Sequence, residues 1–334
     1  MELDTEGKMG LSGMNIKTFK QLNKKSVFEA GGKGASLGEM TNVKIPVPPG
    51  FVVLASAFDE FLKETDLGVE IDAALHKVNH KDINSVEQAS EKIRALIEKA
   101  KMPRDIANDI LKYFRSISAK GGSASGGKVK FVAVRSSATA EDSSSDAWAG
   151  QLETYLNTTE KDVLKNVQKC WGSLFTPRAI FYRFEKKLHK KFVSVAVVVQ
   201  TMVQSEISGI CFTVHPVTKD RNQMVIEAGF GLGEAIVSGQ ITPDTYVVHK
   251  NDLAILDINV SEQAFSLRLG KGGGLIRANE RMTGNKQKLT GRQIIEIAKI
   301  CINIEKHYKK PQDIEWAYSK GKFYITQSRP ITTL

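Results

Sequence analysis

The stretch Asp313-Ile314-Glu315-Trp316-Ala317-Tyr318-Ser319-Lys320-Gly321-Lys322-Phe323-Tyr324-Ile325-Thr326-Gln327-Ser328-Arg329 reads as two strands, 314–318 and 322–327, around a hairpin-length turn at Ser319-Lys320-Gly321. Residues two apart on a strand share a face, so Asp313 and Glu315 lie together and Gln327 can sit opposite them. Arg329, two residues past Gln327, projects to the same side if the strand persists. Oxygen donors of this kind suit magnesium, which takes few protein carboxylates and completes its shell with phosphate and water. An arginine beside them suits the same phosphates. Taken alone, these residues are read more simply as a structural hairpin.

Working outward, residues 291–307 have helical periodicity, and 193–200 is a continuous β-branched run. Further strands are expected at 209–214, 224–227, 245–249 and 254–260, continuing a sheet from that run. Helices are expected near 160–171 and 178–187, and strands at 131–135 and 153–157. Between 56 and 116 apolar residues recur at three and four spacing, as in Ile93, Leu96 and Ile97, which predicts several helices, one of them starting at Pro103. Gly121-Gly122-Ser123-Ala124-Ser125-Gly126-Gly127 cannot bury apolar surface and reads as a loop or an introduced linker. No fixed-period repeat is visible, and the mixed order of elements favours α+β lobes.

Arg135-Ser136-Ser137-Ala138-Thr139-Ala140-Glu141-Asp142 follows a predicted strand and leads to Trp148-Ala149-Gly150-Gln151. An arginine at a strand end facing hydroxyls and free backbone N–H groups is a reasonable phosphate clamp, with a solvated surface loop as the plainer reading. Gly31-Gly32-Lys33-Gly34 runs into a helix, where exposed N–H groups and the helix dipole favour an anion beside Lys33; an ordinary capped helix is the alternative. Gly229-Phe230-Gly231-Leu232-Gly233 follows a strand, but its third glycine comes too early for a dinucleotide fingerprint. None of the histidines, His76, His80, His189, His215, His249 and His307, sits in a glycine-rich loop that would present a reactive imidazole, and all are read as structural or exposed.

Composition narrows the function classes. The 334 residues exceed the usual length of one domain, so two lobes are expected. No apolar run approaches a membrane span and the first residues lack signal-peptide order, which predicts a soluble, cytoplasmic protein without a membrane partner. Cys170, Cys211 and Cys301 lie far apart, without the spacing of a zinc site or disulfide framework, and read as reduced and structural. The net charge of +10, from 47 Lys and Arg against 37 Asp and Glu, suits an anionic ligand, but no aromatic-interleaved basic motif points to nucleic acid.

Gly32-Lys33-Gly34-Ala35-Ser36-Leu37-Gly38-Glu39-Met40, the segments 46–51 and 134–142, Ala149-Gly150-Gln151, the segment 229–239, Asp313-Ile314-Glu315-Trp316 and Gln327-Ser328-Arg329-Pro330 together resemble the N-terminal domain of phosphoenolpyruvate synthase and pyruvate phosphate dikinase. The blocks come in the family's order and span about residues 28–331. The resemblance implies an ATP-grasp fold with a nucleotide cleft between two lobes: residues 1–192, with a helical insertion and phosphate-binding loops, and residues 193–334, with the metal-binding hairpin. It implies ATP and Mg2+ as cofactors. Lys33, Arg135 and Arg329 would hold phosphates, the loop around Gly150 would cover them, and Glu315 and Gln327 would ligate magnesium with support from Asp313. Gln200-Thr201-Met202-Val203 matches the hinge that borders adenine, so Gln200, Met202 and Val203 are candidate nucleotide contacts.

The same resemblance implies a phosphotransferase. Its partners would be a swivelling phosphohistidine domain and an acceptor-substrate domain, in the same chain or another. Pyruvate is the implied final acceptor, with a rifamycin, as in the rifampin phosphotransferases, as the alternative. A non-catalytic ATP-responsive module is the remaining reading. No histidine loop of the Thr-x-Gly-Gly type is present, so the chain is expected to be incomplete as a catalyst.

Overall fold

Apolar periodicity becomes helix and β-branched runs become strand along most of the chain, and a computed structural model describes residues 15–119, 131–139, 153–185, 193–270, 274–280 and 285–332. Strand β1 (Ile16–Thr18), helix α1 (Val27–Asn42) and strand β2 (Gly50–Val53) precede α2 (Ala55–Glu64), α3 (Leu67–His76), α4 (Ile83–Lys99) and α5 (Arg104–Ala119). Then come β3 (Val132–Ala138), β4 (Thr154–Thr158), α6 (Val163–Gly172), α7 (Pro177–Glu185) and β5 (Val195–Thr201). The remainder is β6 (Ile207–Phe212), β7 (Gln223–Phe230), α8 (Glu234–Val237), β8 (Asp244–His249), β9 (Ile255–Asn259), β10 (Phe265–Leu269), β11 (Leu275–Asn279), α9 (Gly291–Tyr308), β12 (Gln312–Ser319) and β13 (Lys322–Pro330). Among the described residues no helix is long and apolar enough to cross a membrane.

Local signals account for the helix ends. In α4 the Asp82 carboxylate accepts from the Asn84 N–H at 3.1 Å, and Val86, Ala89, Ile93 and Ile97 form the buried stripe. In α9 Thr290 and Gln293 form a reciprocal capping box, Ile294, Ile297, Ala298, Cys301 and Ile304 face inward, and left-handed Lys309 ends the helix. Pro103, which supplies no N–H, stands just before α5, and its carbonyl accepts from Ala107 at 2.9 Å.

The strands form a five-stranded sheet in the order β1-β2-β5-β3-β4, a six-stranded sheet in the order β13-β12-β6-β7-β8-β9, and the two-stranded ribbon β10-β11. Every pairing is antiparallel. The fold is thus mixed α+β. One expectation is corrected: the run at 193–200, read as opening the later sheet, supplies β5 at the centre of the first sheet, between β2 and β3. The physical reason is burial on both faces, with Val195, Val197 and Val199 packed toward the helices α2 to α7 while Ala196 and Val198 pack toward α1 and the second sheet. A strand buried on both sides has no alternation to reveal its neighbours.

The first core is centred on fully buried Trp171, whose ring lies 5.5 Å from Phe58 and 4.9 Å from Phe61. The second runs from the first sheet through Leu37 and Met40 of α1 to Ile226, Tyr246 and Ile314 of the second sheet and on to α9. Helix α1 is therefore the shared layer. It is also pinned by polar bonds: Ser36 Oγ donates to the Ser328 carbonyl at 2.9 Å, and Glu39 accepts from the Lys24 N–H at 3.0 Å and bonds His307 Nε2 at 2.7 Å.

Burial alone would push the Glu39 carboxyl up, but the bonds from Lys24 and His307 outweigh it and leave it below its ordinary value. A carboxyl depressed in the folded state stabilises the fold above its unfolded value of 4.5 and loses that contribution as pH falls through the folded value. Wild type should therefore lose stability on acidification more steeply than Glu39→Gln in denaturant titrations below that pH; parallel pH profiles would refute the assignment.

The second sheet carries a fully buried pair, Lys288 Nζ and Asp244 Oδ1 at 2.8 Å. Asp244 also accepts from Tyr246 Oη at 2.8 Å, Ser261 N at 3.0 Å and Lys288 N at 2.8 Å, so its charge is fully met. Asp244→Ala strands a buried ammonium and should cost about 3–5 kcal/mol. Equilibrium urea unfolding checks this, with a loss under about 1 kcal/mol contradicting it.

Candidate functional site

The hairpin β12–β13 forms with the expected alignment. Glu315 pairs with Gln327 and Asp313 with Arg329, around a turn whose Lys320 and Gly321 have φ of 51° and 76°. Between Glu315 and Trp316 the register shifts, because Trp316 pairs with Ile325 and Thr326 is left as the extra residue of a β-bulge. The bulge frees a carbonyl that a regular ladder would consume.

That carbonyl meets Arg135. From β3 in the first sheet, Arg135 Nη1 donates to the Thr326 carbonyl at 3.0 Å, while Nη2 donates to Gln327 Oε1 at 2.6 Å and Glu315 Oε2 at 3.1 Å. Gln327 Nε2 donates in turn to Glu315 Oε1 at 3.2 Å. Arg329 Nε donates to Asp313 Oδ2 at 2.9 Å. Five of the predicted residues, Arg135, Asp313, Glu315, Gln327 and Arg329, thus gather on one patch although the arginine of β3 is some 180 residues from its carboxylate partner in the sequence. Burial holds the Asp313 carboxyl above its ordinary value; the Arg329 pair opposes this and the Glu315 charge adds to it.

Lys33 arrives by a different route. Helix α1 is interrupted at Gly31, with φ 66° and ψ 172°, so Lys33 stands at the start of the continuous helical run. A side chain at Gly31 would overlap Ser137, whose carbonyl oxygen lies 2.3 Å from the place of the absent Cβ, and Gly34 N donates to Ser137 Oγ at 3.3 Å. Ser137 is two residues from Arg135 on the same strand face, so this contact seats the helix start beside the arginine's strand.

The hinge candidates lie where the two sheets are linked. Gln200 pairs with Gly50 and Ala133, and Met202 N donates to the Phe131 carbonyl at 3.1 Å. Met202 packs with Ala133 and Leu232, and Val203 packs with Ala317 and Tyr324 of the hairpin. Gln200 is 2% exposed, yet its Nε2 has no hydrogen-bond partner among the described residues. Gly150 and the tract Gly121–Gly127 lie outside the described residues.

Two features were not read from the sequence. The bulge at Thr326 has no residue signature, and Glu227 of β7 was noted only as the end of a strand. Register places Glu227 in line with Ile210, Glu315 and Gln327 across the second sheet, on one face. The sequence carried no signal for it, because Met224-Val225-Ile226 is apolar throughout, and the face that Glu227 takes follows only from the register with β6.

The sequence profile of the pyruvate phosphate dikinase AMP/ATP-binding domain matches residues 27–334. The chain belongs to that family. A probable phosphoenolpyruvate synthase of Methanocaldococcus jannaschii is 47% identical over 321 residues, covering 96% of this chain and 27% of the relative. One from Archaeoglobus fulgidus is 45% identical over 322 residues, covering 96% and 42%. A rifampicin phosphotransferase of Bacillus subtilis is 38% identical over 320 residues, covering 94% and 35%. The chain therefore spans between about a quarter and under half the length of these relatives. A solved structure from Pyrococcus horikoshii aligns with a TM-score of 0.32 at 12% identity over 80% of this chain and 98% of that one, too remote to inform the site.

The Gly31 contact yields a prediction. Gly31→Ala adds a Cβ in a backbone region reserved for glycine and against a carbonyl, so it should cost at least about 1–3 kcal/mol. Denaturant unfolding measures this, and a variant as stable as wild type would show that the helix start is not fixed by Ser137.

Proposed function

We propose that this domain is the Mg-dependent ATP site of a phosphoenolpyruvate-synthase-like phosphotransferase, of the ATP-grasp type, giving a phosphoryl group to a histidine on a separate domain. The observation that carries it is the convergence of Arg135 from one sheet on Glu315 and Gln327 from the other. The two lobes would be the two sheets with their helices, divided after β5 rather than at 192, because β5 pairs within the first sheet.

The residues fit the groups they are asked to hold. Glu315, Gln327 and Asp313 offer hard oxygen donors of the kind magnesium takes, few in number, with phosphate and water to complete its shell. For the base, the buried and unpaired Gln200 Nε2 beside the apolar clusters of Met202 and Val203 offers a donor and two walls. When bound, magnesium would neutralise phosphate charge.

The chain's own residues supply position and charge. Arg135, Arg329 and Lys33 would hold phosphate oxygens, and Glu315 and Gln327 would face the cation with Asp313 and Arg329 orienting each other. Phosphoryl transfer asks mainly for such positioning and charge neutralisation. The phosphohistidine and acceptor domains would come from the remainder of a longer protein, as the length of the relatives suggests. A rifamycin as final acceptor is the second reading, supported by the Bacillus subtilis relative.

Calorimetric titration of ATP with and without magnesium tests the reading. ATP should bind with magnesium, and Glu315→Ala should lose that dependence, while Arg135→Ala should cost about 1.5–3 kcal/mol of affinity. No binding of ATP in the presence of magnesium, or full retention in both variants, would refute it.

A further inference from the structure

Glu227 stands apart from the other carboxylates on its sheet face. The row Glu227, Ile210, Glu315, Gln327 crosses β7, β6, β12 and β13, and the neighbouring row on that face is Val225, Phe212, Asp313, Arg329. This is the face that receives Arg135; Ile226, Cys211 and Ile314, on the opposite face, belong to the core beneath α9. Glu315 is met by Arg135 at 3.1 Å and Asp313 by Arg329 at 2.8 Å. Glu227 is partly buried, and its carboxylate makes no hydrogen bond or ion pair among the described residues.

A partly buried carboxylate without donor or cation is a standing cost to the fold. Its own strand offers no relief, and the nearby Asp313 charge, added to burial, holds its proton affinity above the ordinary value. Glutamine or valine would sit there at less expense; among the described residues only solvent meets this charge, and a cation held nearby would meet it better. Two strand spacings separate Glu227 from Glu315, about 10 Å between backbones, which leaves the space over Ile210 to be shared by the two side chains.

We propose that Glu227 is a third carboxylate serving the divalent cation and nucleotide complex, acting as a positioning residue that accepts from water held by the metal. This rests on the reading of Glu315 and Gln327 as metal-facing residues. It makes the cation demand of the site a property of two strands pairs, β12–β13 and β6–β7, rather than of the hairpin alone. Outer partners of this kind typically change metal affinity by about 10–100-fold when removed.

The test uses Mn2+, which shares the oxygen preference of magnesium, titrated by electron paramagnetic resonance into the full chain saturated with β,γ-imido-ATP. Glu227→Gln, nearly isosteric, should weaken Mn2+ binding about tenfold or more, leave nucleotide affinity without metal unchanged, and melt at or above the wild-type temperature because an unpaired charge has gone. Glu227→Asp should recover part of the Mn2+ affinity; equal loss in both variants would assign the effect to packing and overturn the proposal. Unchanged Mn2+ affinity in Glu227→Gln, alongside loss in Glu315→Ala, would overturn it while sparing the parent reading. Unchanged affinity in both variants would overturn both.

Discussion

The Arg135 guanidinium is the contact on which the arrangement of the two sheets at the site depends. It is 11% exposed and carries a charge that must be met where the side chain ends. Three acceptors meet it, and each comes from the other sheet: a carboxylate, a carboxamide and the carbonyl of Thr326. The third exists because of the β-bulge. In a regular ladder the Thr326 position would be paired, and the fork of the guanidinium would lack its second anchor. A local irregularity in one strand thus completes a long-range bond from another.

Around this bond the fold is built to keep strand β3 and the hairpin at fixed separation. Gly31 lets the start of α1 lie directly on Ser137, and Ser36 and Glu39 tie the same helix to β13 and α9. The helix therefore touches both sheets within three turns. Its two glycines nearest β3 serve packing as well as any role toward a ligand: at Gly31 a methyl group would meet backbone, and at Gly34 it would press on Val52 at 3.1 Å. The glycine-rich motif that a sequence reader takes as an anion loop is also the only way to bring helix and strand this close.

The two strands of the hairpin, its turn and the cluster of polar residues were legible, but the register was not: continued regularly from Ser319 against Lys322 the ladder would set Glu315 against Thr326, and the bulge is what brings Gln327 opposite it. The helices of 55–119 were legible from spacing alone. What could not be read was adjacency between distant segments. The run at 195–201 is apolar on both faces, and such a strand announces burial without naming its neighbours, so it was placed in the wrong sheet. Strands β1, β10 and β11 were missed for another reason: each is short, and although Phe265-Ser266-Leu267-Arg268-Leu269 alternates, among the described residues it joins only Leu275–Asn279, a two-stranded ribbon outside both main sheets. Glu227 illustrates the limit at the site itself. Nothing in Met224-Val225-Ile226-Glu227-Ala228 distinguishes a glutamate facing solvent from one facing Arg135's patch.

The ion pairs of the second sheet divide by what surrounds them, and the division says which can take part in binding. Lys288 and Asp244 are wholly buried and every lone pair of the carboxylate is used, so exchanging either partner would expose an unmet charge in the interior. Arg329 and Asp313 are 54% and 14% exposed, and Arg135 and Glu315 are 11% and 25% exposed. The exposed Arg329 gives up little when it turns to a new partner, since water can replace the lost contact, whereas Arg135 is largely buried and can release Glu315 only to an incoming charge that takes its place. The same chemistry, arginine or lysine against a carboxylate, is therefore locked in one place and exchangeable in the other. Exposure, more than residue type, separates the charges that hold the sheet together from those free to meet a phosphate or a cation.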